Sequence, residues 1–202
     1  MRRRLDKTKD DHEPNAKKGH WASGLLTTMK DKTYILEKDD LVTMIKDMYP
    51  KAKYHYLVLP NENISNLKAL NASKVPLLEH MHNIGKKYIQ KNHSNITFKM
   101  GYHAEASMHR LHLHIISVDM NSPCLKTKKH WNSFTTDFFL DSNEIIENLR
   151  KNGKVLLPSK QLCETYMKSA LKCHKCHDTA RNMPELKKHI LTHLEHDRLS
   201  VR

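Results

Sequence analysis

The chain has 202 residues, 38% of them hydrophobic and 28% charged, a composition that can build a hydrophobic core. Lys and Arg number 35 against 22 acidic residues, so the formal net charge is +13 and the isoelectric point about 9.5, which favours a polyanionic partner such as nucleic acid. No apolar run approaches the roughly 18 residues of a membrane span and no signal peptide is visible, which excludes an integral membrane protein and predicts that the cysteines are thiols or metal ligands.

The first half of the chain predicts a helix, three strands and a second helix. Residues 1–15 are polar and show no apolar period, so we expect a disordered basic arm. Residues 16–29 repeat apolar side chains at helical spacing. Strands are predicted at residues 33–37, 41–46 and 54–59. Pro76 then begins a helix that extends to about residue 90.

The second half predicts two further strands, at residues 96–103 and 111–117. Residues 118–135 are expected to form a loop with a cluster of lysines. Ser142 then caps a helix that ends before Gly153.

These elements suggest one larger domain and one small unit. Strands and helices are mixed rather than strictly alternating, so residues 16–152 are expected to form an α+β domain around a largely antiparallel sheet. Residues 153–171 are expected to be a connector with helical character. Residues 172–202 are expected to be a separate unit.

That terminal unit carries the spacing of a zinc site. Two residues lie between Cys173 and Cys176, and twelve lie between Cys176 and His189, which is one helical turn from His193. Two thiolates on a short turn and two imidazoles on one helix face suit a tetrahedral Zn²⁺. The spacing therefore predicts a structural Cys2His2 finger with no open position for catalysis.

The same end of the chain is basic. Residues 154–202 hold ten Lys and Arg against five acidic residues. Phosphate contact is the favoured role of this charge, although a single finger supplies little sequence specificity.

Alternating histidines mark the last predicted strand of the larger domain. His112 and His114 share one face of that strand, because alternate side chains of a strand point the same way. Two adjacent imidazoles can bind a metal, move protons, attack phosphorus or form a structural pair. The strand offers no carboxylate for a metal triad, whereas His103, Ser107 and Lys129 lie nearby in the chain. The pattern favours chemistry on a phosphate ester or anhydride.

Longer segments around these histidines form a specific pattern: GYHAEASM at 101–108, LHLHIIS at 111–117, SPCLK at 122–126 and KKHWNSF at 128–134. Upstream are GHW at 19–21, IKD at 45–47 and YPKAKYHYLVLP at 49–60. Together these segments resemble the aprataxin family, the DNA-repair branch of the histidine-triad superfamily of nucleotide hydrolases and transferases. The resemblance covers about residues 17–196, and it includes a Cys2His2 finger behind a histidine-triad domain.

Two features depart from the family pattern. The first of its three alternating histidines is replaced by Arg110, and His109 is one position out of register. The nucleophile and phosphate-binding positions are retained, so we expect activity to be retained. No forkhead-associated domain is present, so docking to phosphorylated scaffolds through that module is not expected.

The resemblance implies a reaction that reverses abortive DNA ligation. The anhydride joining AMP to a DNA 5′-phosphate would be cleaved, releasing AMP and a ligatable end. His112 matches the nucleophile, which would form a covalent AMP–histidine intermediate. His114, His103 and Ser107 match positions that hold the reacting phosphate.

The resemblance also implies residues that position the rest of the substrate. His55 and Lys129 match positions facing the leaving 5′-phosphate, where His55 would donate a proton and Lys129 would neutralise charge. Asp47 matches a carboxylate that binds the ribose hydroxyls, although it could instead close the turn that follows. Ile45 and Met29 match contacts to adenine, and Trp21 and Leu25 match a helix that wedges against the terminal base. Because Trp21, Leu25 and Met29 share one helical stripe, the alternative for these three is that they belong to the helix core.

The leading hypothesis is a nuclear DNA 5′-adenylate hydrolase that acts on nicked or broken DNA. We expect it to be a monomer without a membrane partner, and to use zinc structurally with no catalytic metal. One rival is a hydrolase of free dinucleotides or AMP conjugates, which would need neither the finger nor the positive charge. The other rival is a non-catalytic nucleic-acid-binding protein, supported by the Arg110 departure.

Overall fold

The computed structural model describes residues 24–176 and 178–199. Its strands are β1 (Ile35–Lys38), β2 (Val42–Lys46), β3 (His55–Pro60), β4 (Phe98–His103), β5 (Leu113–Ser117), β6 (Phe139–Asp141), β7 (Leu171–Lys172) and β8 (Thr179–Ala180). Its α-helices are α1 (Gly24–Thr28), α2 (Val75–Asn92), α3 (Lys128–Thr135), α4 (Ser142–Asn152), α5 (Lys160–Lys168) and α6 (Met183–Leu199). None of these helices is long and apolar enough to cross a membrane.

The first six strands form one sheet in the order β1-β2-β3-β5-β4-β6, and every neighbouring pair is antiparallel. This arrangement confirms the predicted α+β class with a mainly antiparallel sheet. The register places His114 of β5 between Leu57 of β3 and Gly101 of β4. The middle of the sheet therefore brings chemistry-bearing side chains from three strands together.

Alternation along β5 separates the apolar core from the histidines. Leu113 and Ile115 pack in one buried cluster with Leu78 and Met81 of α2, so α2 covers that face of the sheet. His112 and His114 point to the opposite face. The glycine at position 101 keeps room there, because a Cβ would lie 2.7 Å from the Phe139 ring and overlap the Leu140 carbonyl.

Most predicted elements are confirmed, with ends shifted by a few residues. The prediction of a loop over residues 118–135 was wrong for its last part, where α3 forms. Thr127 caps this helix, because its side chain accepts a hydrogen bond from the His130 amide. The short edge strand β6 was not predicted. The helix predicted over 16–29 is seen as α1, while residues 16–23 and the basic arm lie outside the described residues.

The terminal unit is the β7-β8 hairpin followed by α6. Its apolar side chains do not form a separate core. Leu186 and Ile190 share one buried cluster with Ile116 of β5 and Trp131 of α3. Trp131 is fully buried, as expected for a packing residue, and its indole N–H donates to the Lys172 carbonyl at 2.9 Å. This one buried cluster includes residues of both the larger domain and the finger, so the predicted division of the chain at residues 152 and 172 stays a prediction.

Candidate active site and zinc site

Four histidines meet on the sheet face opposite α2. His114 stands at the centre, with its ring centroid 4.4 Å from that of His103, 4.8 Å from that of His112 and 5.2 Å from that of His55. The Phe134 ring lies edge-on to His114 at 5.2 Å and shields the group. The sequence prediction that these four side chains belong to one site agrees with this geometry.

Burial keeps these imidazoles neutral. Removal from water lowers the pKa of His55 to about 4 and lowers the pKa of His112, because the charged form loses its hydration. Burial likewise holds the pKa of His103 and of His114 well below the usual range. At neutral pH each ring therefore has one N–H and one free lone pair, and the hydrogen bonds decide which nitrogen has which.

The backbone assigns the tautomer of His112. Its Nδ1 lies 2.7 Å from the carbonyl oxygen of Arg110, which can only accept a hydrogen bond. The ring proton is therefore on Nδ1. The lone pair on Nε2 remains available, which is the protonation state a nucleophilic histidine needs.

A second set of bonds assigns the opposite tautomer to His114. The Lys51 amide donates to His55 Nδ1 at 3.1 Å, so the proton of neutral His55 is on Nε2. That Nε2 lies 2.9 Å from His114 Nδ1 and donates to it. His114 must then carry its own proton on Nε2, which makes it a neutral hydrogen-bond donor.

Two imidazole nitrogens of the group lack partners. His103 Nε2 and His114 Nε2 are buried and make no hydrogen bond within the described part of the chain. Unpaired buried polar atoms are uncommon and call for an explanation such as a missing ligand. A cavity of about 200 Å³ beside His103 and His112 is lined further out by Lys68 and Glu105. An anionic group beside His114 Nε2 would accept the hydrogen bond that this N–H lacks.

Asp47 contacts both His55 and its own turn. Its Oδ2 lies 3.2 Å from His55 Nδ1 and its Oδ1 accepts from the Tyr49 amide at 2.7 Å. The second contact shows the turn-closing role that sequence reasoning kept as the alternative. The ribose-binding role stays a prediction.

Other predicted residues lie further from the histidines. Ser107 is exposed on the loop between β4 and β5, and Lys129 is exposed in the first turn of α3. Neither side chain makes a hydrogen bond or ion pair among residues 24–176 and 178–193, so their phosphate-binding roles stay predictions.

The predicted base-binding residues are largely core. Ile45 and Leu25 are buried in a cluster with Leu57, and Met29 packs against this cluster half-buried. Trp21 lies outside the described residues. The adenine and wedge roles of these side chains stay predictions.

The Arg110 side chain, which replaces the first histidine of the family pattern, binds the end of β3 and the segment after it. β5 begins only at Leu113, and the buried Arg110 guanidinium donates to the Pro60 and Asn61 carbonyls, each at 2.8 Å, and to Asn63 Oδ1 at 3.0 Å. The Arg110 side chain clamps a neighbouring loop while its carbonyl orients His112.

Lys51 is a site residue that sequence reasoning missed. Its amide orients His55, and its ammonium group contributes to the lowered pKa of His55, His103 and His114. The only signal in the sequence is its place in the segment before His55, since a main-chain contact depends on no side-chain type.

The predicted zinc ligands converge on one point. Cys173, Cys176, His189 and His193 place their ligand atoms within 4.8 Å of one another. The Cys176 Sγ to His189 Nε2 and His189 Nε2 to His193 Nε2 distances are both 3.1 Å. Two soft sulfurs and two imidazole nitrogens are the donor set of structural zinc, so these residues fit the metal.

A second group of ligand-type atoms belongs to Asp47, His55 and His114. Metal binding there would compete with the Lys51–His55 and His55–His114 hydrogen bonds, which engage three of the four ring nitrogens. The expectation of no catalytic metal stays a prediction.

Comparisons with known proteins cover both parts of the chain. A family model described as "Scavenger mRNA decapping enzyme C-term binding" matches residues 20–130. A second, described as "C2HE / C2H2 / C2HC zinc-binding finger", matches residues 135–196. The order of a histidine-triad-like domain and a zinc finger agrees with the fold.

Among curated proteins, aprataxin of Gallus gallus is 48% identical over 177 residues, which cover 87% of this chain and 55% of that protein. An aprataxin-like protein of Saccharomyces cerevisiae is 30% identical over 201 residues, which cover 81% of this chain and 88% of that protein. The crystal structure of the aprataxin ortholog Hnt3 in complex with DNA matches with a TM-score of 0.63 and 26% identity, covering 88% of this chain and 92% of that chain. The chain spans about half the length of the first curated relatives that it matches.

Proposed function

Since the chain belongs to the aprataxin family of histidine-triad proteins, we propose that it is a DNA-repair hydrolase that removes AMP from adenylated DNA 5′ ends. The observation that carries this proposal is the pair of opposite tautomers at His112 and His114. One ring offers a lone pair, and its neighbour, whose ring centroid is 4.8 Å away, offers an N–H. A phosphate under nucleophilic attack needs both.

The first step is an attack of His112 Nε2 on the phosphorus of AMP. A P–N bond forms while the P–O bond to the DNA 5′-phosphate breaks, and the bonding electrons leave with the DNA phosphate. The imidazole of His112 then carries a positive charge, which the Arg110 carbonyl stabilises through Nδ1–H. Splitting the displacement into two easier steps is the advantage of a covalent nucleophile.

His114 is placed to stabilise the charge that develops on the phosphate, and the family resemblance assigns His103 to the same phosphate. His114 donates from Nε2 while staying neutral, so it does not pair ionically with the substrate before the reaction. Donors fixed in a water-poor site need no reorganisation when negative charge develops. Water then attacks the phosphorus of the AMP–histidine adduct, which breaks the P–N bond and releases AMP.

His55 and Asp47 complete the site on the leaving-group side. His55 carries its proton on Nε2, and a proton added at Nδ1 would meet the Asp47 carboxylate 3.2 Å away. His55 can therefore pass through a protonated state without leaving that charge unpaired. The role of His55 as proton donor to the departing phosphate, with Lys129 as an electrostatic partner, rests on the family resemblance.

The basic surface supports DNA rather than a free nucleotide as substrate. Exposed lysines of the α3 segment and of the finger extend the positive charge beyond the histidine cavity: Lys126, Lys128, Lys129, Lys172 and Lys188. Zinc bound by the four ligands would hold the finger in place, and such charge would bind DNA phosphates. We further propose that the protein acts on DNA as a monomer in the nucleus.

The test compares AMP release from a nicked, 5′-adenylated duplex with AMP release from a free dinucleoside polyphosphate. We expect the duplex to react faster by at least two orders of magnitude in kcat/KM. A preference for the free dinucleotide would favour the small-molecule rival. No AMP from either substrate, with intact DNA binding, would favour a non-catalytic binder.

A further inference from the structure

We propose that Ser122, held in place by Lys187 of the finger helix, is a positioning residue that sets the tautomers of the catalytic histidines. Ser122 lies on the loop between β5 and α3 and touches none of them. It acts through one peptide group of the segment before His55. The inference rests on the proposed function in that it assigns His114 as a donor to the reacting phosphate.

The peptide group between Pro50 and Lys51 is the link. The Ser122 hydroxyl donates to the Pro50 carbonyl at 2.6 Å, and the amide on the other side of the same peptide, that of Lys51, donates to His55 Nδ1 at 3.1 Å. A peptide unit is planar, with its C=O and N–H pointing in opposite directions. Fixing the carbonyl therefore fixes the direction in which the amide points.

Ser122 is well placed for this role. It is 3% exposed, and its hydroxyl oxygen also accepts from the Cys124 amide at 3.1 Å, which leaves the hydroxyl proton for Pro50. Its own carbonyl accepts from Lys187 Nζ at 2.8 Å. A continuous path of hydrogen bonds thus runs from α6 of the finger through the β5–α3 loop to His55.

Asp47 makes the tautomer of His55 sensitive to this path. With the Lys51 amide aimed at Nδ1, the His55 proton belongs on Nε2. If that amide turns away, Nδ1 can instead carry the proton and donate it to Asp47, whose Oδ2 is 3.2 Å distant. His55 Nε2 would then accept from His114, and His114 Nε2 would lose its proton and face a phosphate oxygen with a lone pair.

The enzymatic test uses an adenylated dinucleotide, which is too short to reach the finger. We expect Ser122→Ala to lower kcat about 10-fold and Lys187→Met several-fold, because small misplacements of catalytic groups carry penalties of this order. KM should change less than twofold. Lys187→Arg, which keeps a donor, should restore most of the rate.

Two control variants separate positioning from general effects. Lys91→Met removes the same charge from an exposed position in the last turn of α2, where the lysine side chain has no hydrogen-bond partner among the residues described, and should leave kcat unchanged. Ser142→Ala removes a buried hydroxyl that contacts His82 at 3.1 Å on the α2 side of the sheet, and should also leave kcat unchanged. If the lysine control lost as much kcat as Lys187→Met, or if Ser142→Ala lost as much as Ser122→Ala, the proposal would be overturned.

Nitrogen NMR of the histidine rings in the zinc-loaded protein gives a readout that needs no turnover. Wild type should show His55 protonated at Nε2, and both Ser122→Ala and Lys187→Met should shift signal towards the Nδ1–H form. Wild type already in the Nδ1–H form, or variants with the wild-type pattern, would overturn the proposal. Failure of wild type to release AMP would instead refute the proposed function, while the NMR result would still decide the positioning role.

Discussion

Replacing Arg110 tests the reading of this residue as a clamp rather than a catalytic group. Its guanidinium makes three hydrogen bonds, to the Pro60 and Asn61 carbonyls and to the Asn63 side chain. The group that reaches the active site is the main-chain carbonyl of the residue, which bonds His112 Nδ1. Arg110→Ala removes the clamp and keeps the carbonyl.

The size of the effect follows from the exposure of the three acceptors. A hydrogen bond to a charged group contributes about 1.5–3 kcal/mol. Water can replace the guanidinium at Asn61 and Asn63, which are partly or fully exposed, but not at the buried end of β3. We therefore expect Arg110→Ala to lower the free energy of unfolding by about 2–4 kcal/mol, from the Pro60 carbonyl and the lost packing.

Urea unfolding and single-turnover rates together measure the two effects. Turnover by the folded Arg110→Ala protein should stay within about fivefold of wild type, because the nucleophile keeps its orienting carbonyl. Arg110→His restores the third histidine of the family pattern, yet an imidazole cannot span the three acceptors, so a similar loss of stability is expected. A hundredfold loss of rate at unchanged stability would refute the clamp and place Arg110 in the reaction.

Four further predictions concern the nucleophile, the finger, the surface charge and the buried histidines. His112→Ala should abolish turnover and leave the binding of adenylated DNA largely intact; an AMP adduct trapped on another residue would contradict this. Cys176→Ala should unfold the finger and raise the DNA concentration that gives half-maximal rate, and it should also slow an adenylated dinucleotide; an unchanged dinucleotide rate would restrict the finger to DNA contact. Affinity for nicked duplex should fall by orders of magnitude from low to physiological salt, because bound lysines release counterions, and an affinity flat in a salt titration would exclude this role. The free energy of unfolding should fall by up to ~3 kcal/mol on acidification from pH 6.5 to 4 through His55 alone, because the unfolded ring gains a proton in that range while the folded ring, with a pKa of about 4, does not; His55→Gln should flatten this dependence in urea titrations, and an identical slope would contradict it.

Sequence reasoning was strongest where a short spacing fixes a geometry. The period of two in a strand places His112 and His114 side by side, and the one-turn spacing of His189 and His193 places two zinc ligands on one helix face. These relations hold for any chain that forms the element, so they need no knowledge of the rest of the fold. His55 and His103 lie on other strands, and only the family resemblance connected them to the site.

The parts that were missed depend on the main chain or on distant partners. The Lys51 amide bonds His55 whatever side chain it carries, and the Arg110 guanidinium reaches carbonyls about fifty residues away. Neither contact leaves a mark in composition or periodicity. Helix α3 is different, since Thr127 is a favoured N-cap and Trp131 and Phe134 have helical spacing, so this signal was readable in the sequence.

The shared core gives zinc two effects on the proposed reaction. Ile116 lies opposite His55 in the sheet register and packs in the same buried cluster as Ala52, Cys173 and Leu186. Structural zinc binds zinc-finger peptides with about 10–16 kcal/mol, as much as the whole stability of a typical domain, so zinc bound here would help to keep this cluster closed. Loss of zinc would expose the cluster beside His55 as well as remove lysines from the DNA-facing surface. The expectation that the finger serves DNA contact more than chemistry therefore has to include a packing effect on the catalytic histidines themselves.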